Sequence, residues 1–255
     1  MKRLVTGMGI VAGQLLHAAH RRDLPSHENQ DPSGDFGSRD RPSLRVVLLG
    51  DSSITAPGVE PIDLSWPRRI ASDLASHYFV ELRSVAVGGA RALHVLRDQV
   101  DAALALHGDM ALISVGANDA LRAVPVRDYE RAIDEILRRL TAAVPAVGIS
   151  GVGDLGSVPR LPTVARSWAT VRSRAFNRAI ARAASRHGVA KSETWGPLWK
   201  PFSTGDPAFF APDQFHASAA GHAIFAAAMG PVVETLLDQL EPALSDRRGS
   251  RGSST

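Results

Sequence analysis

Cysteine is absent from all 255 residues, which removes disulfides, thiolate metal sites and a cysteine nucleophile from consideration and leaves the redox compartment undetermined. Aromatic residues are scarce, at 5%, and no helix-turn-helix, zinc-ligand or aromatic RNA-binding signature accompanies the basic residues. Nucleic acid is therefore not an expected partner. Lysine is rare too: the net charge is only +3, yet the isoelectric point lies near 9.8, because nearly all basic residues are arginines that keep their proton at any accessible pH. There is no internal repeat and no heptad run.

With 44% hydrophobic residues, a chain of this length can bury one full core, and a single globular domain with untidy ends is expected. Residues 1–19 begin with Lys2 and Arg3 and continue through Leu4, Val5, Met8, Ile10, Val11, Leu15 and Leu16. Gly7, Gly9, Gly13 and Gln14 interrupt this apolar stretch, which falls short of the ~20 residues of a membrane span and lacks a clear cleavage site. A cytoplasmic or membrane-surface location is expected, with export or anchoring through residues 1–19 as the alternative. Residues 20–43 are polar and read as a solvated linker. The expected division is a weakly apolar terminus and linker over 1–43, a catalytic domain over 44–241 and a disordered tail over 242–255.

From residue 44 buried strands alternate with amphipathic helices. Strands are expected over 46–50, 80–87, 110–115, 146–150 and, more weakly, 189–194. Helices are expected over 65–77, 90–107 with Leu93, Leu96, Val100 and Leu104 inward, 127–143, 164–187, and 219–240, the last kinked or divided at Gly230-Pro231. This alternation implies an α/β domain whose mostly parallel sheet is covered on both faces.

The first strand, Val46-Val47-Leu48-Leu49, stops at Gly50-Asp51-Ser52-Ser53. Open α/β sheets build their sites at the carboxyl ends of strands, so Ser52 is a candidate nucleophile. Gly89 follows the second strand and Asn118 the third, on the same rim. Near the carboxyl terminus, Asp213 stands three residues before His216. At that spacing a carboxylate can meet the imidazole Nδ1–H and leave Nε2 free to take a serine proton. Each feature alone is ordinary turn or cap chemistry. Their joint occurrence at strand ends points to acyl transfer at a serine.

Gly50-Asp51-Ser52-Ser53, Gly88-Gly89, Gly116-Ala117-Asn118-Asp119 and Asp213-Gln214-Phe215-His216 resemble, in order, the four signature blocks of the SGNH hydrolases, also called the GDSL esterase/lipase family. The Gly50-Asp51-Ser52 context and Asp154-Leu155-Gly156-Ser157 resemble its actinobacterial esterases in particular. The resemblance spans about residues 44–235. It implies a flavodoxin-like three-layer sandwich around a five-stranded parallel sheet, with Ser52 as nucleophile, His216 as base and Asp213 as its partner. It also implies an oxyanion site made of the Ser52 and Gly89 N–H groups and the Asn118 side-chain amide, with neither metal nor cofactor. Two departures stand out. Ser53 replaces leucine at a variable position, and Ser84 replaces the Asn usual five residues before the oxyanion glycine, which leaves Gly88 in contention although spacing favours Gly89.

The implied function is hydrolysis of small-molecule, lipid or glycan esters through an acyl-serine, as an esterase, lipase or deacetylase. The alternatives are acyl transfer to a sugar or lipid hydroxyl and, more remotely, a non-catalytic lipid- or glycan-binding domain. Three further stretches bear on this. Gly151-Val152-Gly153-Asp154-Leu155-Gly156 matches a dinucleotide fingerprint but leads into Pro159 and Pro162 instead of opening a helix, and so reads as a turn. Arg174, Arg178, Arg182 and Arg186 read as a solvated helix face, with peripheral contact to anionic lipid heads as the alternative. Residues 195–215 hold six of the fourteen aromatics and are expected to wall an acyl or alcohol pocket beside His216.

Overall fold

The computed structural model describes residues 23–252, with side chains to Glu241. The amino-terminal stretch 1–19, with its anchor or signal expectation, lies outside the described residues. Strand β2 (Ser43–Gly50) is the axis of the sheet: Val46, Val47, Leu48 and Leu49 are all buried, because parallel neighbours and helices cover the strand on every side. It pairs in parallel with β3 (Phe79–Ser84) and with β4 (Met110–Ser114), and β5 (Ala146–Ile149) and β6 (Ala190–Lys191) continue the parallel array. With an edge strand β1 (Gly34–Phe36), the order is β1-β3-β2-β4-β5-β6.

The five expected parallel strands are present, and a sixth joins them. Strand β1 (Gly34–Phe36) pairs antiparallel with β3, Gly34 opposite Leu82 and Phe36 opposite Val80. The solvated-linker reading of 20–43 is corrected here. Over residues 29–36 the backbone of β1 pairs with β3 and the Asn29, Gln30 and Ser33 side chains bond to the rest of the fold, and polar composition alone does not separate that from solvation.

Apolar residues alternate along β2 to feed two cores. On one face Leu44, Val46 and Leu48 meet Trp66, Ile70 and Leu74 of helix α2 (Trp66–Leu74) and Met229, Val232, Leu236 and Leu240 of the last helix. On the other, Val47 and Leu49 meet α3 (Ala92–His94) and α4 (Val100–Ala105), α6 (Val126–Thr141) and α7 (Thr163–His187). The short α1 (Ser52–Thr55) follows β2 and the short α5 (Ala117–Leu121) follows β4, while α8 (Lys200–Ser203) belongs to the aromatic loop.

The last helix, α9 (Ala219–Gly252), is not divided at Gly230-Pro231 and runs past 240, into the 242–255 stretch expected to be a disordered tail. Its stretch Ala219–Glu241 has the length and hydropathy of a membrane span, but its apolar residues pack on the sheet. The expected helix over 90–107 is broken by a π-helical turn, Val95–Gln99. The turn rotates the inward face, so Ala92, Val95, Val100 and Ala103 are buried and Leu93 is exposed.

Candidate active site

The site grows from the end of β2. Gly50 adopts φ +152° and approaches β4 so closely that a Cβ would lie 2.0 Å from the Ser114 carbonyl oxygen, which only glycine allows. At this last residue of the strand, still in register with Ser114, the buried Gln99 side chain adds to the ladder: Oε1 accepts from Gly50 N–H at 2.8 Å and Nε2 donates to Gly50 C=O at 2.9 Å. The π turn is what aims Gln99 inward. π turns gather at functional sites for this kind of reason. Gln99 was not anticipated; the available signal was a polar residue beside an apolar helical stripe.

Asp51 caps the next turn. Its Oδ1 accepts from Ser53 N–H at 2.9 Å, so Ser52 opens α1 with its own N–H unpaired by the helix. Burial raises the Asp51 carboxyl, against the N–H groups of Ser53 and Gly116 and the charge of His216. Asp51 Oδ2 also stands 3.5 Å from Asn118 Nδ2, a long contact that links the serine turn to the amide. The two serines differ. Ser53 Oγ is held by Ser114 Oγ at 2.6 Å and its carbonyl accepts from Trp66 Nε1 at 2.7 Å, whereas the half-buried Ser52 hydroxyl has no hydrogen-bond partner among the described residues.

The loop after β3 runs alongside β2, Val85 N–H donating to Leu48 and Val87 N–H to Gly50, and so carries Gly88-Gly89 to the serine turn. Gly89 has φ +77°, and a Cβ there would meet nothing within 4 Å; Gly88 is covered by the Asn29 side chain. Neither Ser52 N–H nor Gly89 N–H meets an acceptor among the described residues. The hydrogen bond expected from Asn at position 84 is made otherwise: Ser84 Oγ accepts from Ala86 N–H at 3.3 Å, and Ser33 Oγ accepts from Ser84 N–H at 3.0 Å.

Asn118 sits in the first turn of α5, which Gly116 precedes with φ +138°; a Cβ at Gly116 would lie 2.6 Å from Tyr129 Oη. Arg172 of α7 donates through Nε to the Ala120 carbonyl at 2.7 Å, placing a cation at the carboxyl end of that short helix. Next to Asn118, Asp119 is buried and accepts from Ala92 N–H at 3.0 Å. Burial pushes its carboxyl up to about 6, helped by the charge of Asp51 and opposed by Ala92 N–H and the charge of Arg91.

The opposite side of the site is one short loop. Ala211 N–H donates to the His216 carbonyl at 2.7 Å and Phe210 bridges Ala217, which brings Asp213 and His216 onto one tight turn with Gln214 at φ +59°. Asp213 Oδ2 lies 2.6 Å from His216 Nδ1, and Oδ1 accepts from the N–H groups of Phe215 at 2.9 Å and His216 at 3.0 Å. Burial works to raise the Asp213 carboxyl, but the His216 hydrogen bond and charge and the two N–H groups outweigh it and hold it at about 2. Ser52 and His216 are not hydrogen-bonded to each other; such contacts are often loose before substrate binds. His222, buried on α9, is the other histidine nearby. Burial first, then the charges of Arg69 and His216, lowers it to about 3, and its Nδ1 accepts from Trp66 N–H at 3.1 Å, so it is a neutral structural group.

A cavity of about 130 Å³ lies behind these residues. Its lining includes Ser53, Ala117 and Phe215, the sequence neighbours of Ser52, Asn118 and His216, so all three segments converge on one space. Trp199, Phe202, Phe210 and Phe215 of the aromatic loop also line it. Among the described residues no group of three or more His, Asp or Glu could hold a metal ion. The glycine run 151–156 forms a loop and a 3-10 turn. Of the arginine row, Arg182 and Arg186 pair with Glu130 and Asp134 of α6 and Arg174 lies over the Trp195 ring, so that face is largely engaged by the protein itself.

The model of the GDSL-like lipase/acylhydrolase family matches residues 48–224. The chain belongs to this family. It is a serine hydrolase of carboxylic esters. No curated protein sequence matches this GDSL-like hydrolase. Solved structures share its fold at low identity. TesA aligns with a TM-score of 0.62 at 18% identity, covering 75% of this chain and 99% of its own. The psychrotrophic esterase EstA from Pseudoalteromonas sp., in a structure inhibited by monoethylphosphonate, aligns at 0.60 and 18%, covering 76% and 98%. Axe2, an acetylxylan esterase from Geobacillus stearothermophilus, aligns at 0.58 and 17%, covering 76% and 94%.

Proposed function

We propose that Ser52 is the nucleophile of this ester hydrolase, with His216 as general base and Asp213 as the group that fixes its tautomer. The observation that carries the assignment is the Asp213–His216 pair at 2.6 Å, in a loop that shares a cavity wall with the serine turn. Ser52 Oγ attacks the ester carbonyl carbon while His216 Nε2 takes its proton. The carbonyl oxygen becomes an anion, held by Ser52 N–H, Gly89 N–H and the Asn118 amide. Collapse breaks the bond to the alcohol oxygen, which takes the proton from His216. Water then repeats the sequence on the acyl-serine and releases the acid. The free hydroxyl of Ser52 and the engaged hydroxyl of Ser53 support the choice between the two serines.

The apolar lining and size of the cavity support a short acyl group. A cavity of about 150 Å³ holds a benzene ring, so roughly six carbon atoms or fewer are accommodated; the likeness of fold to an acetylxylan esterase is in keeping with a small acyl group. A fluorophosphonate probe should label Ser52, mapped by mass spectrometry of the peptide, and Ser52→Ala should abolish both labelling and turnover of a p-nitrophenyl short-chain ester with the fold intact. Turnover near the wild-type rate in Ser52→Ala would overturn the assignment.

A further inference from the structure

We infer that the strap of residues 27–36, which precedes the stretch matched by the family, is part of the catalytic apparatus, and that Asn29 is a positioning residue for the oxyanion side of the site. The inference rests on the reading of Ser52 as nucleophile and Gly89 as oxyanion donor. The strap is tied at its far end by β1, by Arg68 Nη1 donating to Ser33 C=O at 3.0 Å, and by the Arg83–Asp35 ion pair at 2.8 Å. From there it runs to the site and touches both arms that carry the oxyanion donors.

On the serine arm, Gln30 N–H donates to Thr55 C=O at 2.9 Å, and Gln30 Nε2 donates to the carbonyls of Ala56 and Val59, each at 2.9 Å. These groups lie at the end of α1, the single turn that Ser52 opens, where Ala56 is held at φ +46°. The His27 ring covers Gly58 in the same loop. A helix of one turn has no cooperativity of its own, so its direction depends on such external ties. On the glycine arm, a Cβ at Gly88 would lie 1.8 Å from Asn29 Oδ1. The same Oδ1 accepts from Thr55 Oγ1 at 2.7 Å. Asn29 thus touches both the end of α1 and the residue preceding Gly89. With Ser33 Oγ on Ser84 N–H, the strap sets the distance between the two N–H groups that must converge on one oxygen. Oxyanion donors act through preorganisation, so a small loss of register falls on kcat.

The test uses the full chain and a short-chain p-nitrophenyl ester. Asn29→Ala should lower kcat about tenfold, the worth of roughly one hydrogen bond, with KM and the unfolding midpoint nearly unchanged. Asn29→Asp keeps an acceptor for Thr55 Oγ1 and should restore most of kcat. Thr55→Val should show the same loss as Asn29→Ala, and the double variant no more than either alone. Wild-type kcat in Asn29→Ala, or losses that add in the double variant, would overturn the inference. Failure of the underlying reading shows separately, as activity retained in Ser52→Ala whatever Asn29 does.

Discussion

Two buried carboxylates stand on either side of the serine turn and are treated in opposite ways. Asp213, on the base side, is held at about 2 by an imidazole and two N–H groups that all belong to its own four-residue stretch. Asp119, beside Asn118 on the oxyanion side, is pushed up to about 6, because the Ala92 N–H, the charge of Arg91 and its own N–H only partly answer its burial and Asp51 adds a like charge. The base side is built from neighbours in sequence and is electrostatically settled. The oxyanion side is assembled from Gln99, Asn29 and Tyr129, distant from the donors they arrange, and from Asp51, which caps the serine turn and reaches Asn118 67 residues away, and it carries a carboxylate the fold disfavours. Local construction makes one side autonomous; the other depends on the rest of the fold.

The largest effect should come from unsettling the settled side. Asp213→Asn removes the charge that steadies the imidazolium and allows the wrong tautomer, and in a serine protease the matching change costs about 10⁴ in kcat. A loss of that order is expected here, with KM little altered and the loop kept by an Asn Oδ1 that can still accept from Phe215 and His216. A kcat within tenfold of wild type would mean that the 2.6 Å contact is a structural cap.

Asn118→Ala should cost less, on the order of 10²- to 10³-fold in kcat, since one donor of three is lost and the nucleophile remains. The loss should fall on kcat, because the donor is needed after the oxygen becomes charged. A raised KM at unchanged kcat would move Asn118 from the oxyanion to substrate binding.

The same local-against-distant contrast decides what could be read from residues alone. Gly50-Asp51-Ser52 and Asp213 to His216 were legible because their partners lie within three or four positions, where backbone geometry is fixed by spacing. The parallel strands were legible from their apolar runs, and the aromatic loop from its rings. Gln99 was not, because helical periodicity assumes i to i+4 pairing and a π turn inserts one residue into it. The strap was not, because Gln30 donates its side-chain amide to carbonyls, and Asn29 accepts from the Thr55 hydroxyl, 26 to 29 residues away, and a polar stretch that bonds to a fold has the composition of one that bonds to water. Strand β1 escaped for the same reason.

The smallest effect tests whether the unsettled carboxylate is a burden to the fold, and its sign is set by the direction of the shift. Asp119 titrates near 3.8 when exposed and near 6 in the native chain, so between those values the folded protein holds a proton that the unfolded chain has released. Stability contributed by this group therefore falls as pH rises from about 4 to 6, and above that the native state carries the full cost of a buried charge. Asp119→Asn keeps an oxygen that can accept from Ala92 N–H but cannot ionise. Compared with wild type, its unfolding free energy should be about equal near pH 4 and greater by on the order of 2 kcal/mol at pH 7, taking 1.36 kcal/mol per pKa unit. Because Asn118 is held from its other side by Asp51, kcat at neutral pH should change by less than about threefold, a few tenths of the cost of one hydrogen bond. Denaturant titrations of both proteins across pH 4 to 7 give the comparison directly. A difference that stays constant over this range would show that the carboxylate is already ionised at pH 4, with Arg91 paired to it closely enough to offset its burial.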